Sequence, residues 1–199
     1  VSRGAGEIGL DPGLCPRATV VIMAKPLHPS PPVLSRDGVS LTVANTRRNL
    51  PEALSPQIKS TNFLNNILAK RESIAAGTFD SLFLNWKDEL TECTVSNLFF
   101  ISGKTLHTPA LDCGILDGIT RTIVMTLAQE EGVPVREGHY HLADLQRAEE
   151  CFLTNTSMEI MPVNRVDSFT IGDGRPGSLT RRLQTRFADS RTRFLEPPS

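Results

Sequence analysis

Lys59 heads the stretch KSTNFLNNILAK, residues 59–70, and is the first residue whose type and setting suggest chemistry. An ammonium at a helix mouth meets the positive end of the macrodipole, and partial burial also disfavours the cation. Both effects leave a nucleophilic amine able to condense with a carbonyl. The stretch predicts that setting: Ser60, Thr61 and Asn62 are capping types, and Phe63, Leu64, Ile67 and Leu68 recur at the spacing of a helix with one buried face. Glu92, in TECTVSN, falls at the end of a predicted strand beside small polar residues, where its carboxylate can accept a hydrogen bond from a ring N–H. Gly118-Ile119-Thr120 opens a predicted helix and offers free backbone N–H groups and a hydroxyl, an anion cup. TNTSMEIMP, residues 154–162, clusters hydroxyls after a buried strand, suiting a phosphate or a carboxylate. The simpler readings are a surface lysine, an edge-strand charge, a plain helix cap and a polar turn. Taken one at a time, the residues leave both sets open.

The elements that must position these groups read as follows. ATVVIMA (18–24) is a continuous apolar run, predicted as a buried strand, and PLHPSPP (26–32) is an extended connector. VSLTVA (39–44) alternates as a half-buried strand. The helix after Lys59 stops near Gly77. SLFLN and ELTEC form a hairpin turning at Lys87-Asp88, and NLFFIS and TLHTP form a second through Gly103-Lys104. An amphipathic helix runs from Gly118 to Gly132, a short helix covers 142–148, and a buried strand covers 151–154. Residues 160–166 are extended but interrupted by proline, and a closing helix spans 179–187, capped by Ser178. Helices interleave with hairpins, so the fold class is α+β, or mixed α/β.

Composition narrows the function classes. The 199 residues carry 39% hydrophobic and 22% charged residues, ordinary for a globular chain. A net charge of −1 gives no field favouring nucleic acid or an anionic membrane, and Arg181, Arg182 and Arg186 read as a solvated helix face. No apolar run is long enough to span a bilayer or to serve as a signal peptide. Cys15, Cys93, Cys113 and Cys151 lack CxxC or Cys/His spacing, so they are expected as free thiols in a reducing cytoplasm, with no metal site.

A lysine nucleophile, a strand carboxylate, an anion cup and a hydroxyl cluster are together the protein parts that pyridoxal 5'-phosphate requires. Their order and wording resemble the class IV aminotransferase family, the fold-type-IV pyridoxal-phosphate enzymes, from about residue 2 to residue 187. The motifs are SRGxGxxGLDP (2–12), KSTNFLNNILAKRES (59–73), ECTVSNLFF (92–100), LDCGILDGITR (111–121) and TNTSMEIMPV (154–163). The resemblance implies that Lys59 forms the Schiff base with the cofactor and later shuttles the substrate proton. It implies that Glu92 pairs with the pyridine nitrogen and that Leu116 packs on the ring. Ile119, Thr120 and Thr156 would hold the phosphate, with Ser157 and Met158 near the substrate carboxylate. It further implies a small-molecule amino-acid substrate, a cytoplasmic homodimer, and an N-terminal lobe preceding Val1. On that scheme residues 1–50 end a small domain and its connector, 51–190 form the cofactor domain, and 191–199 are a flexible tail. Within the family, the SRG start, the Glu-Cys pair, LDxGILDGITR and TNTxxEIMP lean toward 4-amino-4-deoxychorismate lyase. Transamination of branched-chain or D-amino acids with a 2-oxo acid is the alternative.

Overall fold

The computed structural model describes residues 1–193. The elements, in order, are α1 (Pro32–Asp37), β1 (Val39–Val43), α2 (Leu64–Ala76), β2 (Asp80–Leu84), β3 (Leu90–Cys93), β4 (Asn97–Ser102) and β5 (Thr105–Pro109). They continue with α3 (Ile119–Glu130), β6 (Val135–Gly138), α4 (Leu142–Gln146), β7 (Glu150–Asn155), β8 (Glu159–Val166), β9 (Phe169–Thr170) and α5 (Ser178–Asp189). The fold is mixed α+β, as the pattern of helices and hairpins predicts.

The strands pair in the order β3-β2-β1-β8-β7-β4-β5-β6, and β3 pairs with β4 as well. That extra pairing closes six strands into a ring, with β5 and β6 extending from it. Successive side chains on a strand face opposite ways, and here both faces are apolar, which explains runs such as NLFFI. Leu98, Phe100, Leu153, Met161 and Val163 share one core cluster with Leu41 and Leu82. Their neighbours Phe99, Ile101, Phe152 and Ile160 join a second, under Val124 and Leu127 of α3 and Leu183 of α5. Phe99 and Phe152 are register partners across β4 and β7, and their rings stack 5.1 Å apart. β1, from the part of the chain before residue 51, lies inside this sheet between β2 and β8.

Both predicted hairpins form, with Asp88, Gly103 and Lys104 at positive φ in their turns. α2 ends at Gly77 in the left-handed conformation, as expected from the sequence. The proline-interrupted stretch becomes β8. Pro162 pairs with Phe152 of β7, while the β1 ladder begins one residue later at Val39 and Val163. The missing N–H therefore falls where β8 lacks its second neighbour.

Three expectations fail on contact. Residues 18–24 form no strand but an exposed extended segment, tied only by a bridge between Ser2 and Thr19, with Ile22 90% exposed. The Phe63, Leu64, Ile67 and Leu68 face of α2 is exposed as well; the helix buries Ala69 and Ser73 instead. Those small side chains let the α2 backbone approach the sheet closely enough for the Ser81 hydroxyl to donate to Ala69 O at 2.6 Å. Ser178 does not cap α5. The Glu150 carboxylate of β7 does so from across the structure, accepting from Leu179 N at 3.1 Å and Thr180 N at 2.7 Å. Strand β6 had no sequence signal, and 194–199, most of the expected tail, lie outside the described residues. Among the described residues, no helix is long and apolar enough to cross a membrane.

Candidate active site

Glu92 is the best-defined group of the site. It sits one residue before the end of β3, opposite Asn97 on β4, at the seam that closes the ring. Arg48, from the loop after β1, reaches it with Nη2 2.6 Å from Oε1, and both side chains are buried. Oε2 accepts from Leu116 N at 3.0 Å and from Asn97 Nδ2 at 3.2 Å. Burial is the largest influence on this carboxyl and pushes it up to about 7, although the Arg48 charge, the Leu116 N–H and the more distant Lys59 pull the other way. Three bonds occupy a carboxylate with about four acceptor sites, so one position remains open on the Arg48-bound oxygen.

The same network fixes the surrounding walls. Arg48 Nη1 contacts Asn65 Oδ1 and Asn66 Oδ1 of α2, each at 3.3 Å, and its Nε donates to Gly114 O at 3.3 Å. Asn66 Nδ2 donates to Thr94 O at 2.6 Å, holding the β3–β4 turn. Asn97 Nδ2 also donates to Leu116 O at 2.8 Å, so strand β4 clamps the segment that leads into α3. Gly118 is needed at that approach: a Cβ there would stand 2.2 Å from Asn97 Oδ1.

Above this floor lies a cleft of about 390 Å³. Lys59, Glu92, Leu116, Ile119, Thr120 and Thr156 all line it, so residues spread over nearly a hundred positions converge on one space. α3 opens beside it with no side-chain cap, which leaves its first N–H groups available to an anion. Ser96 and Thr154 also line the cleft, and both hydroxyls are buried without a protein partner. Buried hydroxyls normally have partners, so these two are places for a ligand to bond. Ser157 and Met158 fall outside this lining; Met158 faces a separate surface groove with Arg36 and Gln184.

The helix after Lys59 starts later than the sequence pattern puts it, and without the expected cap. α2 begins at Leu64 with Phe63 as its uncapped N-cap, so Lys59 lies on the preceding loop and is exposed. The Ser60 hydroxyl bonds Asn62 N at 3.2 Å, forming a local turn and no helix cap. What the fold gives the amine is a place on the cleft. Arg48 was missed by sequence reasoning, because it lies 44 positions before its partner with no periodic signal. Asn97 is one of the small polar residues that the sequence sets beside Glu92, and here it donates to that carboxylate.

The Amino-transferase class IV family model matches residues 1–166. The chain is 39% identical over 194 residues to a Methanocaldococcus jannaschii protein named "Putative branched-chain-amino-acid aminotransferase", covering 98% of this chain and 66% of that one. It is 33% identical to the Bacillus subtilis aminodeoxychorismate lyase, covering 92% of this chain and 61% of the lyase. A crystal structure of a branched-chain amino acid aminotransferase of T.th., solved with pyridoxamine 5'-phosphate, superposes with a TM-score of 0.76 at 29% identity, covering 78% of this chain and 51% of that one. The chain thus spans about half to two thirds of the length of these three proteins.

Proposed function

Because the chain belongs to the class IV aminotransferase family, we propose that its cleft holds pyridoxal phosphate and works on an amino-acid substrate through Lys59. The observation that carries this reading is the buried Glu92 carboxylate. Its burial is incompletely offset, and one acceptor position faces a cleft of a size suited to a small ligand. A cationic ring N–H bonded there supplies the missing compensation. The orphaned Ser96 and Thr154 hydroxyls and the uncapped start of α3 fit a polar, anionic ligand in the same space.

When bound, the cofactor supplies a carbonyl that takes up amines and a ring that accepts the electron pair released at the substrate Cα. The chain does the rest. Glu92, held by Arg48, Asn97 and Leu116 N, would accept a hydrogen bond from the ring nitrogen and favour its protonated form, and fixed partners mean little reorganisation as charge develops. The N–H groups of Ile119 and Thr120, with the hydroxyls of Thr120 and Thr156, would hold the phosphate, and Leu116 would pack against the ring. Lys59 Nζ would attach the cofactor and serve as the base that carries the Cα proton.

Amino transfer is the outcome we favour. The 39% identity to a protein named as a branched-chain-amino-acid aminotransferase supports that order. Elimination giving p-aminobenzoate is the second reading, supported by the 33% identity to a lyase. The exposed apolar residues Ile58, Phe63, Leu64 and Ile67 beside Lys59 support burial against a second copy, a homodimer. Product analysis separates the two chemistries. Glutamate formed from a branched-chain or D-amino acid and 2-oxoglutarate supports transfer; pyruvate and p-aminobenzoate from aminodeoxychorismate, with no transfer, reverse the order.

A further inference from the structure

Beyond the cleft, a second group of chemistry-bearing side chains gathers where β3 begins. Among the described residues, Glu89, Cys113 and His139 bring one ligand atom each within 4.8 Å of one another. His139 Nδ1 lies 3.0 Å from Glu89 Oε1 and 3.6 Å from Cys113 Sγ. Its other nitrogen, Nε2, lies 3.3 Å from Asp112 Oδ2. Cys113 and Glu89 are buried, while His139 stands at the rim with 45% of its side chain exposed.

We propose that Glu89, Cys113 and His139 form a binding site for a divalent cation of the zinc type. In a tetrahedral zinc site with bonds of about 2.3 Å to sulfur and 2.0–2.1 Å to nitrogen and oxygen, the sulfur–nitrogen edge is about 3.6 Å and the nitrogen–oxygen edge about 3.3 Å. The observed 3.6 Å and 3.0 Å lie within a few tenths of those edges. A salt bridge from a charged imidazole accounts for Glu89 and Asp112 but not for the thiol. One Nδ1–H cannot point at both an oxygen and a sulfur, whereas a cation in front of Nδ1 bonds all three atoms. The fourth position faces solvent past His139 and takes a water.

The supports of a metal site are also present. Asp112 on Nε2 is the carboxylate that orients a ligating imidazole and fixes its tautomer, with Nδ1 left free for the metal. Asn85 is buried and holds two of the ligands' segments at once, donating to Glu89 Oε2 at 2.7 Å and to Cys113 O at 3.2 Å. That leaves Glu89 Oε1 for the cation. His139 is fixed by its neighbours, since Ala110 N donates to Gly138 O and Leu90 N to Tyr140 O. Without a cation the thiol can donate its proton to Gly138 O, 3.7 Å away. On binding, Sγ takes the cation in place of that proton, which leaves to solvent. The cation would also anchor the segment from Cys113 to Leu116, whose Gly114 O and Leu116 N meet Arg48 and Glu92.

The test is a titration of the purified chain with Co²⁺, which reports thiolate ligation by a sulfur-to-cobalt charge-transfer band. The expected result is one Co²⁺ per chain, displaced by Zn²⁺, with the band lost in Cys113→Ser and kept in Cys15→Ser. His139→Ala, at an exposed position that leaves the core untouched, should lower affinity at least a hundredfold, and Asp112→Asn about ten- to a hundredfold. No stoichiometric binding at micromolar Co²⁺, a band that survives Cys113→Ser, or unchanged affinity in His139→Ala each overturns the proposal. None of these readouts depends on pyridoxal phosphate, so they stand or fall apart from the reaction proposed above.

Discussion

Replacing Arg48 by methionine removes the cation 2.6 Å from Glu92 while keeping an unbranched stem against Phe83, whose ring centroid lies 5.3 Å from the guanidinium. Breaking one side of a buried pair leaves an uncompensated charge and typically costs about 3–5 kcal/mol. Here Glu92 has an escape. Its carboxyl already sits at about 7 with Arg48 present, so without it the group takes up a proton and sheds part of the cost. Arg48→Met should therefore destabilise the chain by about 3 kcal/mol or more at pH 8 and clearly less at pH 5.5. Glu92→Gln should cost less, since the amide oxygen still accepts from Arg48 or Leu116 N. The double variant should recover part of the loss, with a coupling of about 0.5–3 kcal/mol. Urea denaturation of the four proteins at both pH values measures all of this. A cost under about 1 kcal/mol at pH 8, or simple additivity, would refute the idea that this pair forms the floor of the site.

Glu92 is held above its usual 4.5, so the native state keeps a proton that the unfolded chain has lost; its stabilising contribution is full below about 4.5 and is lost as pH rises toward about 7. Over roughly 2.5 pH units that amounts to about 3 kcal/mol at most in the cofactor-free chain, and Glu92→Gln should abolish that part of the slope in denaturation curves. Gly118→Ala places a methyl 2.2 Å from Asn97 Oδ1, so it should push Asn97 from Leu116 O and weaken cofactor binding at least tenfold by absorbance titration, with no change expected for Gly132→Ala, whose Cβ meets nothing. Thr120→Pro deletes a backbone donor that Thr120→Ala keeps; charge-assisted bonds contribute about 1.5–3 kcal/mol, so the proline variant should bind roughly ten- to a hundredfold more weakly than the alanine variant. Equal affinities would remove the α3 start from the phosphate site.

What could be read from the sequence depended on range. Turns and hairpins were legible because their signals are local: Gly77, Asp88 and Gly103-Lys104 sit where the backbone requires positive φ. Motif wording singled out six residues that the fold brings to one cleft from four separate segments, Lys59, Glu92, Leu116 to Thr120, and Thr156, while Ser157 and Met158 fall outside its lining. Covering was not legible. The apolar runs at 18–24 and along α2 say that those side chains favour burial, but periodicity does not say what lies against them, and here they are exposed. Long-range polar pairing was equally silent. Arg48 with Glu92 and Glu150 under α5 link residues tens of positions apart, and no spacing rule connects them. The Glu89–Cys113–His139 group escaped for the same reason, since no Cys/His spacing announces ligands that the sheet brings together.

Lys59, as the residue that bonds the cofactor, is the point on which the proposed chemistry turns. Borohydride reduction of the protein loaded with pyridoxal phosphate, followed by digestion and mass spectrometry, locates that bond directly. The predicted result is a single pyridoxyl label on the peptide containing Lys59, absent in Lys59→Ala. A label on Lys70, Lys87 or Lys104 in place of Lys59, or undiminished labelling in Lys59→Ala, would contradict it.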